Sequence, residues 1–318
     1  MRGARRLYLL HLALATLGTV LLAGAAALIL ARQSLALPTS QAISDACHNW
    51  LAAGGPASLL GLSIAALALA AVGLGLRSIR RQLRASRHYL AGQPLSAKSI
   101  EVDGIRCRLI DSEEPRAFCA GYLSPRVYLS RGALEGLEPA ELRAVLAHES
   151  HHARRRDPLR LLAARALADS LFFLPILRRI SERYAALGEL AADEAAVEAL
   201  GGRGPLASAL LKFSESSAQP ATVVALAPER VDHLMGDPDV TRWSLPRSPL
   251  ARSALAITGL GATSLLLWHG VLDPNLQVPL LVAAACAGLM VCGPATLAVG
   301  ALILSRQALR RRRAWANG

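Results

Sequence analysis

Four stretches of this 318-residue chain carry almost no charge: Leu7 to Leu30, Ala57 to Leu76, Ala254 to Leu272 and Val278 to Leu304. A helix rising 1.5 Å per residue needs roughly 20 apolar residues to cross a bilayer's hydrocarbon, and each stretch reaches or approaches that length. The composition agrees, with 53% hydrophobic residues but only 4% aromatic and 18% charged. Four transmembrane helices are therefore expected, and they divide everything else in the chain into loops, tails and one long intervening segment.

The first stretch follows Arg2, Arg5 and Arg6 and contains the small-residue run LAGAAA, features shared with secretory signals. Its apolar run exceeds the roughly 7–15 residues of a signal core, so it reads as a retained anchor. Orientation follows from the arginines, because cationic loops beside membrane ends stay in the cytoplasm. Arg77, Arg80, Arg81, Arg84 and Arg87 follow the second stretch, Arg306 and Arg310 to Arg313 follow the fourth, and the connection DPNLQ between the third and fourth has none. Both termini and the segment from 77 to 252 are expected in the cytoplasm of a multi-pass protein of the cell membrane.

This placement also accounts for the net charge of +12. Arginines beside membrane helices set topology and touch anionic headgroups, and no nucleic-acid-binding motif accompanies them, so the lipid bilayer is an expected partner and nucleic acid is not. The five cysteines are odd in number and form no CxxC pair, which argues against a thiolate metal cluster or a disulfide framework.

All the acidic residues except Asp45 and Asp273 fall between residues 100 and 240. The expected division is a transmembrane hairpin over 1–76, a cytoplasmic α+β domain over 77–252, a second hairpin over 253–305 and a basic tail over 306–318. Within the middle segment, SIEVDGIRCRLID (99–111) alternates partially around Asp103-Gly104, a hairpin-type turn. RAFCAGYLSPRVYLS (116–130) continues as strand broken by Gly121 and Pro125. The period then becomes helical: Pro139 suits a first helical position, Leu142, Val145, Leu146 and Ala147 form a stripe, and 180–200 reads as a second long helix. Between them, 158–177 is apolar but interrupted by Arg160, Arg165 and Asp169, so it reads as a buried or membrane-surface helix.

The first of these helices ends in LAHESHHARRRD (146–157). His148, Glu149 and His152 match H-E-x-x-H, in which two histidines one turn apart grip one Zn²⁺ and the intervening glutamate is placed for general-base work. His151 leaves the axis in another direction and reads as a bystander, at the surface or supporting. A catalytic zinc takes three protein ligands, and Glu189 on the next helix, in GELAADEAA, is the best third. Asp193 follows one turn later, where it can hold the outer N–H of a ligating histidine. One Zn²⁺ per chain is expected. Arg230 and His233 are further candidates for oxyanion stabilisation, but their spacing is not diagnostic.

The segments AFCAGYLSPRVYLSRGALEGLEPAELRAVLAHESHHARRRDPLRLL and FFLPILRRISERYAALGELAADEAAV resemble the membrane-integrated zinc metallopeptidases of the BlaR/MecR type, with a gluzincin-like HExxH…ExxxD pattern, and more distantly the HtpX and CAAX-prenyl-protease group. The resemblance covers roughly residues 100–200. It implies a zincin-like peptidase domain, His148, His152 and Glu189 as zinc ligands, Glu149 as catalytic base, Asp193 as support and Asp157 in a structural role. In HtpX-like enzymes two transmembrane helices separate the motif from the downstream glutamate, whereas here that interval is short, as in the BlaR/MecR type. Those receptors carry a C-terminal penicillin-binding sensor. The expectation here is a chain without one, whose signal enters through the membrane hairpins, the loop near 33–55 or a partner.

The functional expectation is a zinc endopeptidase acting on a cytoplasmic or membrane protein substrate, with a transcriptional repressor as one candidate substrate. The alternatives are a non-catalytic zinc scaffold and a housekeeping quality-control protease. Transport is disfavoured, because the membrane helices hold little polar apparatus, and His269 within them lies near an end.

Overall fold

The structure is a computed structural model that describes residues 2–31, 41, 56–216, 230–231 and 245–272. The expected fourth span, Val278 to Leu304, the basic tail and His233 lie outside the described residues.

Helix α1 (Arg2–Ala31) is followed by α2 (Pro56–Ala91). A small sheet comes next, built from β1 (Leu95–Val102), β2 (Ile105–Ile110), β3 (Ala117–Ala120) and β4 (Arg126–Ser130). The remaining elements are helical: α3 (Arg131–Gly136), α4 (Pro139–Arg155), α5 (Asp157–Ser170), α6 (Pro175–Leu200), α7 (Gly204–Ser216) and α8 (Arg247–Trp268). Among the described residues, three helical segments are long and apolar enough to cross a membrane: Gly3–Ala31, Leu59–Ala91 and Arg247–Trp268. Their outer faces carry bare large apolar side chains such as Val20, Leu69, Leu255 and Trp268, a pattern that suits lipid and not water. No helix breaker stands at Leu76, so α2 runs unbroken from its apolar half through the arginines that follow.

By its internal contacts the chain divides into two compact units, one of Met1–Leu21 with Leu69–Leu260 and one of Leu22–Ala68 with Gly261–Gly318. The sheet and every residue of the site described below belong to the first. Strand order is β1-β2-β4-β3. β1 and β2 pair antiparallel through Asp103 (φ 49°) and Gly104 (φ 76°), both left-handed as a two-residue I′ hairpin turn requires. β2 and β4 pair parallel, β3 and β4 antiparallel, so β3 is an edge strand. Cys107, Val127 and Leu129 turn inward from the sheet onto Val145 and Leu146 of α4 and Ala209 of α7.

Pro139 is the first residue of α4, and the Glu141 carboxylate accepts the Glu138 backbone N–H at 2.8 Å, closing the entry turn. The helix ends on Arg156, whose left-handed backbone (φ 54°) also starts α5, so no loop separates the two. The apolar stretch 158–177 is not one helix: α5 stops at Ser170, a turn follows, and Pro175 opens α6 at a position that needs no amide hydrogen. Alanines set the spacing of the helices. Ala144 of α4 and Ala196 of α6 are fully buried against each other's neighbourhood with Leu206 and Leu210 of α7, and short side chains there let the two backbones approach. On the side of the apolar helices, Ala15 of α1 packs with Ala168, Leu171, Leu174 and Leu177.

Candidate metal centre

Because α4 turns 3.6 residues per turn, His148 and His152 project from one face, and their Nε2 atoms stand 3.2 Å apart. The α4–α6 packing delivers Glu189 to the same point. Its Oε2 lies 3.6 Å from His148 Nε2 and its Oε1 lies 3.6 Å from His152 Nε2. Taken together, one ligand atom from each of the three residues lies within 4.8 Å of the others. Two nitrogens bound tetrahedrally to one zinc at 2.0–2.1 Å are separated by about 3.3 Å, so the donor set and its spacing fit this ion, with a coordination position left over.

Each imidazole has its other nitrogen turned to a carboxylate. His152 Nδ1 is 2.9 Å from Asp157 Oδ2. His148 Nδ1 is 2.9 Å from Asp193 Oδ1, close enough for strong charge contact although not aligned as a hydrogen bond. Such partners hold the ring tautomer and orientation that leave each Nε2 facing Glu189. Asp157 is itself flanked by Arg155 at 3.7 Å and Arg160 at 3.9 Å. Arg160 in turn lies over the ring of Tyr8 in α1, which packs on Tyr184 of α6.

Arg230 joins this group. Its Nε donates to Asp193 Oδ2 at 2.8 Å and its Nη2 to Oδ1 at 2.5 Å, a fork-to-fork pair, while Nη1 approaches Glu189 Oε2 at 3.5 Å. Burial alone would push the Asp193 carboxyl up, yet His148 and Arg230 hold it down at about 2. Burial likewise opposes charge on His148, but Asp193 and Glu189 raise that ring to about 9. Asp157, Glu189 and Asp193 are thus each met by an imidazole or an arginine, with Glu189 facing both histidines.

Glu149 is half-buried on α4 beside the ligand face, and its charge is felt by His148, Arg230 and Cys119. Cys119 belongs to β3, an edge strand of the sheet among the described residues, which packs on α4. His151 stands apart from the cluster as its helical position implies. It is buried, however, not at the surface: its Nε2 has no hydrogen-bond partner among the described residues, and burial and then Arg155 push the ring down to about 4, which keeps it neutral.

The structure thus places His148, Glu149, His152, Glu189, Asp193 and the supporting Asp157 in one neighbourhood, and brings Arg230, a sequence candidate for oxyanion stabilisation, there as the partner of Asp193. Arg230 lies 37 residues beyond Asp193 and nothing in its spacing marks it. The one sequence signal is that an isolated arginine follows the Glu189–Asp193 pair.

Compared with known proteins, residues 91–254 match the family model of peptidase family M48. No curated protein and no solved structure matches the chain.

Proposed function

The chain belongs to peptidase family M48 and is thereby a metallopeptidase, and from that premise we propose that it is a membrane-embedded, zinc-dependent endopeptidase whose active site faces the cytoplasm. The observation that carries the reading is the convergence of His148, His152 and Glu189 at the spacing of a single tetrahedral ion, with Glu149 on the same helix one residue from a ligand.

A bound zinc ion supplies the Lewis acid that polarises a peptide carbonyl and acidifies water. The protein does the rest. His148 and His152, with their rings set by Asp193 and Asp157, would hold the ion together with Glu189. Glu149 takes a proton from the attacking water and returns it to the departing amine, the task of a carboxylate within hydrogen-bond reach of both. Arg230 keeps Asp193 ionised and sets the position of Glu189. The free edge of β3 offers backbone N–H and C=O groups to an extended substrate, which would lie beside Glu149 as an added strand.

Two features support the membrane setting: three helices of sufficient length and hydropathy, and the arginine bias on one side of them. The BlaR/MecR-type reading is supported by the short interval between His152 and Glu189, filled by α5 and the start of α6, where the polar residues Arg160, Arg165 and Asp169 interrupt any span. On this reading the substrate is a cytoplasmic or membrane protein, and a repressor is the first to test.

Replacing Glu149 by Gln is expected to stop proteolysis, with a rate loss on the order of 10²–10⁴, while zinc stays bound. Comparative proteomics of cells carrying the wild type or this variant should show at least one protein accumulating with the variant. Identical proteomes, with zinc loaded in both, would sink the endopeptidase reading in favour of a zinc scaffold.

A further inference from the structure

A second concavity, a cleft of about 1170 Å³, shares no residue with the metal centre. It forms where α2, the α5–α6 turn with the first part of α6, and the start of α8 meet. Arg77 and Arg81 reach it from α2, Arg178, Arg179 and Arg183 from α6, and Arg252 from α8. Against these six cations stand two carboxylates, Asp169 and Glu182. Both are already engaged. Asp169 accepts the Ser78 hydroxyl at 2.6 Å and pairs with Arg81 at 3.1 Å. Glu182 pairs with Arg178 at 3.1 Å and with Arg179 at 3.3 Å. Arg77 and Arg252 pair with no carboxylate among the described residues; Arg252 donates only to the neighbouring Ser248 hydroxyl at 3.3 Å.

The level of these two arginines is informative. Arg77 is the first charged residue after the apolar run that ends at Leu76, and Arg252 is the last before the run that begins at Ala254. Two separate helices thus put a guanidinium at the point where their apolar halves give way to polar sequence. That boundary is where lipid headgroups sit. Leu74 and Phe172, 37% and 48% exposed, add apolar wall to the same cleft.

Arginines that merely set topology need not converge. Here they come from three distant segments onto one concavity with a net surplus of four positive charges, six against two. A planar guanidinium fork matches the oxygens of a phosphate group, and several of them around a recess make an anion site of defined shape. We propose that this cleft binds a phosphate-bearing anion, the headgroup of an anionic phospholipid or a soluble phosphate, held by Arg77 and Arg252 with the α6 arginines behind them. The apolar wall of Leu74 and Phe172 lies where the first carbons of an acyl chain would run. Such a ligand ties α2, α6 and α8 to one another and stabilises the native state by mass action.

The test uses the full-length protein in neutral detergent, with thermal unfolding followed in dioctanoyl phosphatidylglycerol, dioctanoyl phosphatidylcholine or inorganic phosphate. Phosphatidylglycerol at ten times its Kd is expected to raise Tm by roughly 3 °C, and phosphatidylcholine to leave it unchanged. Arg77→Gln/Arg252→Gln should abolish the shift, whereas Arg84→Gln/Arg87→Gln, on the same helix but outside the cleft, should keep it. A shift reproduced by inorganic phosphate supports the site with a soluble anion as its source. No shift with either anion overturns the proposal, and so does an equal loss in the Arg84/Arg87 control, which would mean diffuse charge attraction. Should the double variant fail to fold, native mass spectrometry of the wild type decides: selective retention of phosphatidylglycerol over phosphatidylcholine supports the site, and equal retention overturns it.

Discussion

Asp157 Oδ2 stands 2.9 Å from His152 Nδ1, and Asp157 is the first residue of α5, reached from α4 through the single left-handed residue Arg156. The carboxylate that orients one histidine is thus supplied by the helix that follows, not by the helix that carries the motif. Replacing Asp157 by Asn keeps the volume and removes the charge. Zinc affinity is then expected to fall by about 10–100-fold, measured by chelator competition on the purified protein.

The Arg230–Asp193 pair is fully enclosed, with side-chain exposures of 7% and 0%. Removing one partner of a buried pair strands the other. Arg230→Met should therefore destabilise the metal-free protein by about 3–5 kcal/mol, and Arg230→Met/Asp193→Asn should restore part of that loss. Chemical denaturation of the two variants and the parent checks both statements. A double variant as unstable as the single would show that Arg230 acts through packing and not through charge.

Glu141, buried near the start of α4, gives a pH dependence. Burial pushes its carboxyl up, but Lys212 at 2.7 Å, the Ser208 hydroxyl at 2.5 Å and the Glu138 N–H hold it below the ordinary glutamate range. A depressed folded-state value means that its stabilisation is complete above the unfolded value, about 4.3, and is lost as pH falls through the lower folded one. Lys212→Met leaves burial less opposed, so acid destabilisation should begin at a higher pH. The Lys212 side chain is 38% exposed, and solvent screening trims the effect. Tm measured between pH 3 and 7 for both proteins gives the comparison.

Two glycines separate close approach from simple flexibility. A Cβ on Gly132 would meet the Glu113 carbonyl oxygen at 1.8 Å, and the Gly132 N–H already donates to Ser112 O at 2.9 Å. The backbone must yield, and Gly132→Ala is expected to cost at least the 1–3 kcal/mol typical of about one overpacked methyl. Gly188, inside α6, meets nothing within 4 Å. There Ala is expected to stabilise by about 0.4–1 kcal/mol. Urea titrations of the two variants should move in opposite directions.

What could be read from the residues was local. Asp103-Gly104 marks its own turn, Pro139 marks a helix start, and His148 and His152 share a face because a helix repeats every 3.6 residues. Glu189 and Asp193 were legible as a pair one turn apart. What escaped depends on distant parts of the chain. The apolar residues from Leu171 to Leu177 hide a helix break that Pro175 enforces, because burial on both sides of the turn keeps the pattern oily. The parallel pairing of β2 with β4 has no local signature. His151 is buried although it lies off the face that carries His148 and His152, and helical position alone does not give its exposure.

The loopless joint at Arg156 makes α4 and α5 a bent lever with Asp157 at its fulcrum. The far arm, through Ala168, rests on Ala15 of an apolar helix. The carboxylate that faces His152 thus rides on a helix whose other end is braced by α1, so one element serves both the apolar packing of Ala15 and the placing of Asp157.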